Sequence, residues 1–437
     1  MRKALLPLER PRPASAVLRM VRVPRDLGPI TTVSDREQPA ATAGMTEDGV
    51  ERIWLAAQRL FRSGAYPALT LCVQREGRVV LDRALGWARG GGPGERTPAA
   101  EREPATPDTP FCTFSASKAV TAVVVHLLAE RGAIDLGAKV TGYLPEFAGA
   151  GRDDITVAQV LAHRAGIPQL PRDMLDLERL ADPERILEAM PQLRSLHRPG
   201  AAVAYHTVSG GFVLGEIVRR ATGKDIRTVL AEEILDPLGF RWTNYGVAPE
   251  DVARVGLAYP TGPKLVPPLS TVATRALGLP WDELTRLCND PRFLTGIVPA
   301  GNVVSTAYEM ARFMDLLRRG GTLDGATVMQ PRTIRHALTE TSYHEFDRTL
   351  GFPLRYSYGF MLGAKVLSLY GPDTDDAFGH LGFMNVIMYA DPRRELSVGL
   401  ITSGKTAVGP HLPLLWALVR RIGTEAPKVE EPLLYRA

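Results

Sequence analysis

The sequence predicts an α+β protein in which an antiparallel sheet flanked by helices carries an inserted, mainly helical domain. Three observations predict it: strand-like runs follow the first helix, helical patterns dominate the middle of the chain, and strand-like runs return near its end. The simplest packing joins the strands of both ends in one sheet. We therefore assign residues 45–114 and 305–437 to the α/β domain and residues 115–304 to the helical domain, with the active site at their interface.

The first segment, residues 1–44, is interpreted as an N-terminal extension on the surface, because it contains six prolines among scattered arginines. Its start resembles a signal peptide, with Ala4–Leu6 after two basic residues. However, Pro7 and Glu9 interrupt the apolar stretch before the ~7 residues that such a peptide requires. We therefore expect a cytoplasmic protein.

The first helix and hairpin follow this extension. Thr46 is a suitable N-cap, and apolar residues recur at helical spacing between Val50 and Phe61. Two strand-like runs come next, Ala68–Gln74 and Arg78–Leu85. The Glu76-Gly77 pair between them predicts a β-hairpin.

The C-terminal part repeats the strand pattern and closes with a helix. Gly382–Ala390 and Leu396–Ser403 are rich in β-forming residues and flank a turn at Asp391–Arg394. Leu412–Ile422 then places its apolar residues on one side of a helix.

Composition excludes several classes of protein. The 437 residues carry a formal net charge of only +4, and no apolar run approaches the ~18 residues that span a bilayer. We therefore expect neither nucleic acid nor membrane as a partner. The three cysteines, Cys72, Cys112 and Cys288, lack zinc-ligand spacing and are interpreted as small buried residues. No metal and no cofactor is expected.

Three familiar motifs do not account for this chain. Gly399–Thr406 matches the P-loop pattern, but its middle residues continue a strand, and Gly409 and Pro410 break the helix that a P-loop needs. We interpret the match as a strand end. Neither a G-x-S-x-G elbow nor an H-E-x-x-H motif occurs in the sequence.

The most informative pair is Ser115 and Lys118, an S-x-x-K motif at the start of an apolar helix. The chain has eight lysines against 44 arginines, so a lysine in an apolar setting requires an explanation. Burial lowers the pKa of a lysine from ~10.4 toward neutrality, where it can act as a general base, which an arginine cannot do. One helical turn also places both side chains on the same face. The alternative is that Ser115 only caps the helix while Lys118 reaches solvent.

Two further segments bear on this site. Tyr205 follows a Pro199-Gly200 turn and precedes a helix, and His380 lies at the entry to a strand. A tyrosine can relay a proton to a leaving group, and a strand that follows a glycine can expose a backbone amide.

Together, the three segments resemble those of the serine β-lactamase-like superfamily, which includes class C β-lactamases, D-alanyl-D-alanine carboxypeptidases and family VIII carboxylesterases. Val160–Ile167, Pro299–Thr306 and Tyr358-Gly359 are similar to further motifs of that superfamily. The resemblance extends from about Thr46 to Ile422 and implies a serine β-lactamase-like fold.

The resemblance implies a role for each matching residue in the bond-breaking steps. Ser115 would be the acylated nucleophile and Lys118 its base, and Tyr205 would share proton transfer with Lys118. The backbone amides of Ser115 and Phe383 would form the oxyanion hole. His163, in one of the further motifs, is interpreted as structural.

The substrate-binding positions depart from the family pattern. Thr207 stands where an asparagine is frequent, and His380, with Gly382, forms H-x-G in place of K-T-G. Histidine is only partly charged near pH 7, which weakens recognition of a β-lactam carboxylate. These departures favour a serine hydrolase of small carboxylic esters. The alternatives are a β-lactamase or D-Ala-D-Ala carboxypeptidase or transpeptidase, and a penicillin-binding-like receptor without turnover. The region 259–297 is expected to line the acyl pocket.

Overall fold

The computed structural model describes residues 18–170, 177–180, 182–383 and 385–436. The helices are α1 Glu47–Phe61, α2 Ser117–Glu130, α3 Val140–Tyr143, α4 Val157–Leu161, α5 Leu177–Leu180, α6 Pro183–Ala189, α7 Ser209–Thr222, α8 Ile226–Leu230, α9 Leu269–Leu277, α10 Trp281–Leu287, α11 Pro291–Thr295, α12 Ala307–Arg318, α13 Pro331–Ala337 and α14 His411–Glu425. The strands are β1 Leu18–Arg19, β2 Thr31–Val33, β3 Ala68–Arg75, β4 Arg78–Arg89, β5 Glu103–Pro104, β6 Phe111–Cys112, β7 Asn244–Tyr245, β8 Tyr259–Pro260, β9 Gly262–Pro263, β10 Val303–Ser305, β11 Thr322–Leu323, β12 Ala326–Thr327, β13 Ser342–Phe346, β14 Pro353–Tyr356, β15 Met361–Leu362, β16 Phe378–Gly382, β17 Val386–Asp391, β18 Leu396–Thr402 and β19 Gly404–Lys405.

One antiparallel sheet joins the two ends of the chain, as the sequence predicts. Its order is β13-β14-β15-β16-β17-β18-β3-β4-β2, with β5 added beside β4. The connection between the ends is the β18–β3 pair, which runs antiparallel from Leu396 opposite Arg75 to Thr402 opposite Leu69. The predicted α+β fold, an antiparallel sheet flanked by helices, is confirmed.

Alternation along β3 explains why helices cover both faces of the sheet. Leu69, Leu71 and Val73 pack into the cluster that contains α1 and α14. The residues between them face the other way, and Cys72 packs with α12. Because successive side chains of a strand point to opposite faces, a strand with apolar residues at both odd and even positions can be buried on both sides. All eight residues of β3 are buried.

The predicted first helix and hairpin are confirmed. The Thr46 hydroxyl accepts a hydrogen bond from the amide of Gly49 at the start of α1. The turn between β3 and β4 has positive φ at Glu76 (53°) and Gly77 (78°), which matches the twist of the strands it connects. The predicted C-terminal helix is α14.

The N-terminal segment differs from the prediction. Instead of only lying on the surface, Thr31–Val33 forms an edge strand paired with residues 83–85 of β4, and Leu27 and Ile30 are buried. A three-residue strand is too short to show a period in the sequence. Residues 1–17 lie outside the described part of the chain.

The predicted strand Gly382–Ala390 is also wrong in part. Phe383 has φ of 44°, and the chain reverses there, so Gly382 ends β16 and pairs with Val386 at the start of β17. His380 consequently lies inside a strand and not at its entry.

The middle of the chain supplies helices α2 to α11 and a small sheet of order β6-β10-β7. The first twelve of the fourteen residues of α2 are buried, and α7 packs against it. The domain boundaries at residues 114/115 and 304/305 stay a prediction. Within the described ranges, no helix combines the length and the apolar character needed to cross a bilayer.

Candidate active site

Ser115 lies in a short 3₁₀ turn, Phe114–Ala116, between β6 and α2. Hydrogen bonds to Val303 in β10 fix both ends of this turn. The amide and the hydroxyl of Thr113 each donate to the Val303 carbonyl at 2.8 Å. The Ser117 hydroxyl accepts from the Val303 amide at 2.9 Å. Phe114 has φ of 52°, an unfavourable conformation for a bulky residue. The turn therefore presents a partly exposed Ser115 on a fixed backbone.

Lys118 lies one turn further along the helix, as the S-x-x-K spacing predicts. Its Nζ is 3.3 Å from Ser115 Oγ, 2.8 Å from the Thr207 carbonyl oxygen and 3.0 Å from the Ala300 carbonyl oxygen. Burial lowers the pKa of Lys118 to about 7. The alternative, that Lys118 reaches solvent, is contradicted by this burial. The Ala300 contact has no signal of its own in the sequence, although Ala300 lies in the Pro299–Thr306 motif.

The neutral form of Lys118 suits this set of contacts. A neutral amine has two N–H groups and one lone pair. The two carbonyls can only accept, so they bind the two N–H groups, and the lone pair is left for the hydroxyl proton of Ser115. The arrangement can thus remove that proton.

Tyr205 lies beside Lys118 in the folded protein. Its ring centroid lies 4.8 Å from Lys118 Nζ, and burial raises the pKa of its phenol, so that it carries its proton near pH 7. The buried carboxylate of Asp347 fixes its backbone: Oδ1 accepts from the Tyr205 amide at 3.2 Å, and Oδ2 accepts from the Tyr356 hydroxyl at 3.0 Å. No signal in the sequence points to Asp347.

His163 contacts Tyr205 from another side. The ring centroids are 4.7 Å apart, and His163 Nδ1 accepts from the amide of His206 at 3.1 Å. Burial lowers the pKa of His163 well below its usual value. These contacts agree with the structural role expected for His163, which stays a prediction.

His380 corrects the charge expected from the sequence. Its side chain is buried inside β16, and burial, together with a smaller effect of Lys118, lowers its pKa to about 3. Nδ1 lies 2.7 Å from the Leu381 carbonyl oxygen, which can only accept, so the ring proton is on Nδ1. The expectation of a partly charged histidine near pH 7 is therefore wrong, because burial favours the neutral ring.

Gly382 and Phe383 bring the end of β16 against the Phe114–Ala116 turn. A Cβ at Gly382 would lie 2.0 Å from the Thr113 carbonyl oxygen, so a side chain is incompatible with this approach. The Phe383 ring lies 5.2 Å from the Phe114 ring, centroid to centroid. Ser115 and Phe383, whose amides would form the oxyanion hole according to the family resemblance, thus lie on adjoining segments; the oxyanion hole stays a prediction.

Thr207 differs from the expectation of a substrate-binding side chain. Its hydroxyl donates to the Ala276 carbonyl in α9 at 2.6 Å, and its own carbonyl accepts from Lys118. The hydroxyl is thus occupied by the protein. This bond also brings part of the region 259–297 to the site, while its role as acyl pocket stays a prediction.

A second buried lysine lies close by. Lys405, in the segment that matches the P-loop pattern, is at a strand end as predicted, and its burial is not indicated by the sequence. Its Nζ lies 4.6 Å from the centroid of the Phe114 ring and donates to the Thr402 carbonyl. Burial lowers the pKa of Lys405 to about 7. Cys112 and Cys288 are buried free thiols beside it.

Comparisons with known proteins show the family to which this chain belongs. A family model described as Beta-lactamase matches residues 44–420. The esterase/beta-lactamase LipL of Mycobacterium tuberculosis is 30% identical over 362 residues, which cover 78% of this chain and 77% of that protein. A crystal structure of a family VIII carboxylesterase has a TM-score of 0.73 at 29% identity and covers 86% of this chain and 97% of its own. A penicillin-binding protein homologue from Caulobacter crescentus has a TM-score of 0.73 at 28% identity, with coverage of 87% and 99%.

Proposed function

This chain belongs to the beta-lactamase family of serine hydrolases, and from that premise we propose that it hydrolyses small carboxylic esters through an acyl-enzyme on Ser115. The observation that carries the proposal is the environment of Lys118. Its amine is buried, has two carbonyl acceptors, and lies 3.3 Å from the Ser115 hydroxyl. A base with a pKa near the working pH is what proton abstraction from a serine requires.

Acylation follows from these contacts. Ser115 Oγ forms a bond to the ester carbonyl carbon while its proton passes to Lys118 Nζ, and the carbonyl electrons move onto the oxygen. When the tetrahedral intermediate collapses, the bond to the alcohol oxygen breaks. In the proposed mechanism Tyr205, whose phenol is protonated and whose ring centroid lies 4.8 Å from Lys118 Nζ, donates a proton to that oxygen and recovers one from Lys118. Water then hydrolyses the acyl-enzyme by the reverse proton movements.

The developing oxyanion is assigned to the amides of Ser115 and Phe383. The Ser115 amide belongs to the first turn before α2, where backbone N–H groups lack helical partners. The Phe383 amide follows Gly382, whose missing side chain permits the close approach to Thr113. Each such donor contributes ~2.7–4 kcal/mol to the stabilisation of an oxyanion.

Two features favour an ester over a β-lactam or a peptide. His380, at the position of the family lysine, is buried and neutral, so it offers no cation to a substrate carboxylate. Thr207 has no carboxamide, and its hydroxyl is bound to Ala276. The name of the Mycobacterium relative includes both activities, which keeps a β-lactamase as the second candidate.

The test compares p-nitrophenyl butyrate with nitrocefin on wild type and Ser115→Ala. We expect ester turnover by wild type, and a loss of kcat/KM of more than about 10³-fold in Ser115→Ala, because no other group replaces the nucleophile. Intact-mass measurement after acid quenching should show a butyryl adduct on wild type only. Ser63→Ala, just after the end of α1, is the matched control.

Each other result points to a different function. Ester turnover that survives Ser115→Ala contradicts the mechanism. Nitrocefin turnover without ester turnover reverses the order of the two candidates. A stoichiometric adduct without turnover indicates a penicillin-binding-like receptor. The cytoplasmic location stays a prediction from the sequence.

A further inference from the structure

Four residues form a closed ring of contacts beside the assigned oxyanion hole. Phe114 contacts Phe383, with centroids 5.2 Å apart, and Phe383 stacks on Trp281 at 4.2 Å with an interplanar angle of 26°. The indole N–H of Trp281 donates to the Lys405 carbonyl at 3.1 Å. Lys405 Nζ lies 4.6 Å from the centroid of the Phe114 ring, which closes the ring of contacts.

Two members of this ring have strained backbones. Phe114 has φ of 52° and Phe383 has φ of 44°, and neither is a glycine. A conformation of this kind costs ~1–3 kcal/mol and persists only where surrounding contacts hold it. For both residues, the aromatic side chain is buried in the ring of contacts, so these contacts oppose relaxation of the backbone.

These strained residues carry or adjoin both assigned oxyanion donors. The Ser115 amide belongs to the peptide group that follows Phe114, and the Phe383 amide belongs to the strained residue itself. A change of φ at Phe114 would reorient the peptide group that carries the Ser115 N–H, and a change of φ at Phe383 would turn its own N–H relative to the segment that follows. Hydrogen-bond donors that act on a transition state must be held in place before the reaction.

We propose that Trp281 and Lys405 are positioning residues that hold both oxyanion donors in place through the rings of Phe114 and Phe383. The proposal rests on the proposed function, because it uses the assignment of the oxyanion hole. Trp281 begins α10 and Lys405 ends β19, so two elements remote from Ser115 in sequence anchor the ring. The Lys405 amine is itself fixed by the Thr402 carbonyl.

A purely space-filling role is the alternative, and it predicts a different kinetic signature. Loss of packing alone lowers the free energy of unfolding without a specific effect on the transition state. Loss of oxyanion alignment lowers kcat and kcat/KM together and leaves KM almost unchanged, because the interaction forms only in the transition state.

The experiment measures p-nitrophenyl butyrate kinetics and the inhibition constant of butylboronic acid for Trp281→Ala and Trp281→Phe. When the boronic acid binds, Ser115 Oγ forms a bond to trigonal boron, its proton passes to Lys118, and the tetrahedral adduct places an oxygen in the hole. We expect Trp281→Ala to lower kcat about 10–100-fold, with KM within about threefold, and to raise the inhibition constant by a similar factor. Trp281→Phe keeps a ring on Phe383 and should recover most of the loss.

Controls separate the possible failures. Trp416→Ala, on the exposed side of α14, should leave both constants unchanged. Unchanged kcat and boronate affinity in folded Trp281→Ala overturn this inference alone. Equal boronate affinity of wild type and Ser115→Ala contradicts the proposed function instead. If Trp281→Ala does not fold, Lys405→Met replaces it, because this variant removes the amine that contacts the Phe114 ring and the Thr402 carbonyl and keeps the Lys405 carbonyl that accepts from Trp281. A kcat loss of about 3–10-fold at constant KM then supports the proposal, and an unchanged kcat overturns it.

Discussion

Lys118 and Lys405 are two buried lysines that contact consecutive residues of the same segment. Lys118 contacts the Ser115 hydroxyl, and Lys405 contacts the ring of Phe114. Burial lowers the pKa of both to about 7. On the basis of pKa alone, the two lysines are equivalent candidates for a general base.

The two lysines differ in whether a serine hydroxyl lies beside the amine. Lys118 has two carbonyl acceptors and a hydroxyl, so its lone pair has a proton to remove. Lys405 has one carbonyl partner and otherwise lies beside two thiols and an aromatic ring. A lowered pKa therefore identifies a buried amine, and only the neighbouring nucleophile makes that amine a catalytic base.

Matched substitutions provide the largest expected contrast. Lys118→Met should lower kcat/KM for p-nitrophenyl butyrate about 10²–10⁴-fold, because the general base is lost while the volume is kept. Lys405→Met should remain within about tenfold of wild type, a change of ~1.4 kcal/mol or less in the barrier. Steady-state kinetics on folded variants, verified by circular dichroism, measure both. Equal losses in the two variants would remove the distinction between the lysines.

The two lysines should contribute equally to the pH dependence of the free energy of unfolding. Each binds its proton with a pKa of about 7 in the folded state and with the ordinary, higher value when unfolded. Between these values the unfolded state binds more protons, so the free energy of unfolding rises with pH by up to ~1.4 kcal/mol per unit for each lysine.

Urea unfolding at pH 7.5, 8.5 and 9.5 measures this slope. Lys405→Met and Lys118→Met should each reduce this slope by the contribution of one proton, up to ~1.4 kcal/mol per pH unit. The double variant should reduce it by the contribution of two protons. A slope that is the same in wild type and Lys405→Met would show that Lys405 keeps its proton in the folded protein.

The pH dependence of kcat/KM should depend on Lys118 and not on Lys405. kcat/KM should fall about tenfold per unit below pH 7, because protonation removes the lone pair of Lys118. Tyr205, His163, His206 and His380 face Lys118, and burial keeps all four neutral there. In a pH–rate profile, Lys405→Met should show the same fall of kcat/KM below pH 7 as wild type. If the fall disappears in Lys405→Met, it is caused by protonation of Lys405 and not of Lys118.

Local pattern accounts for the parts of the fold and site that the sequence predicted. The first hairpin follows from two apolar runs and a Glu76-Gly77 turn, and the β18–β3 pair follows from strand patterns at both ends. The Ser115–Lys118 contact follows from helical spacing, since three residues bring side chains to one face. Tyr205 was identified by resemblance to a family, because its contact with Lys118 spans most of a hundred residues.

Burial of single polar residues was not predicted, because it depends on elements that are distant in the chain. Lys405 is surrounded in sequence by threonine, serine and glycine, which give no sign of an apolar environment. His380 was expected at the entry to a strand and partly charged near pH 7, whereas it lies inside β16, where burial keeps its ring neutral. Asp347 and Trp281 have no local signature at all, since each acts through a residue more than a hundred positions away.

Periodicities of a few residues were enough to predict the first helix and hairpin, the C-terminal helix, and the contact between Ser115 and Lys118. The joining of the chain ends in one sheet followed from the strand patterns at both ends and from the simplest way to pack them. Long-range packing established which of two lysines lies beside a hydroxyl, that His380 is neutral, and which aromatic rings pack next to Ser115. Those properties arise from desolvation and from contacts between remote segments, and no local spacing encodes either.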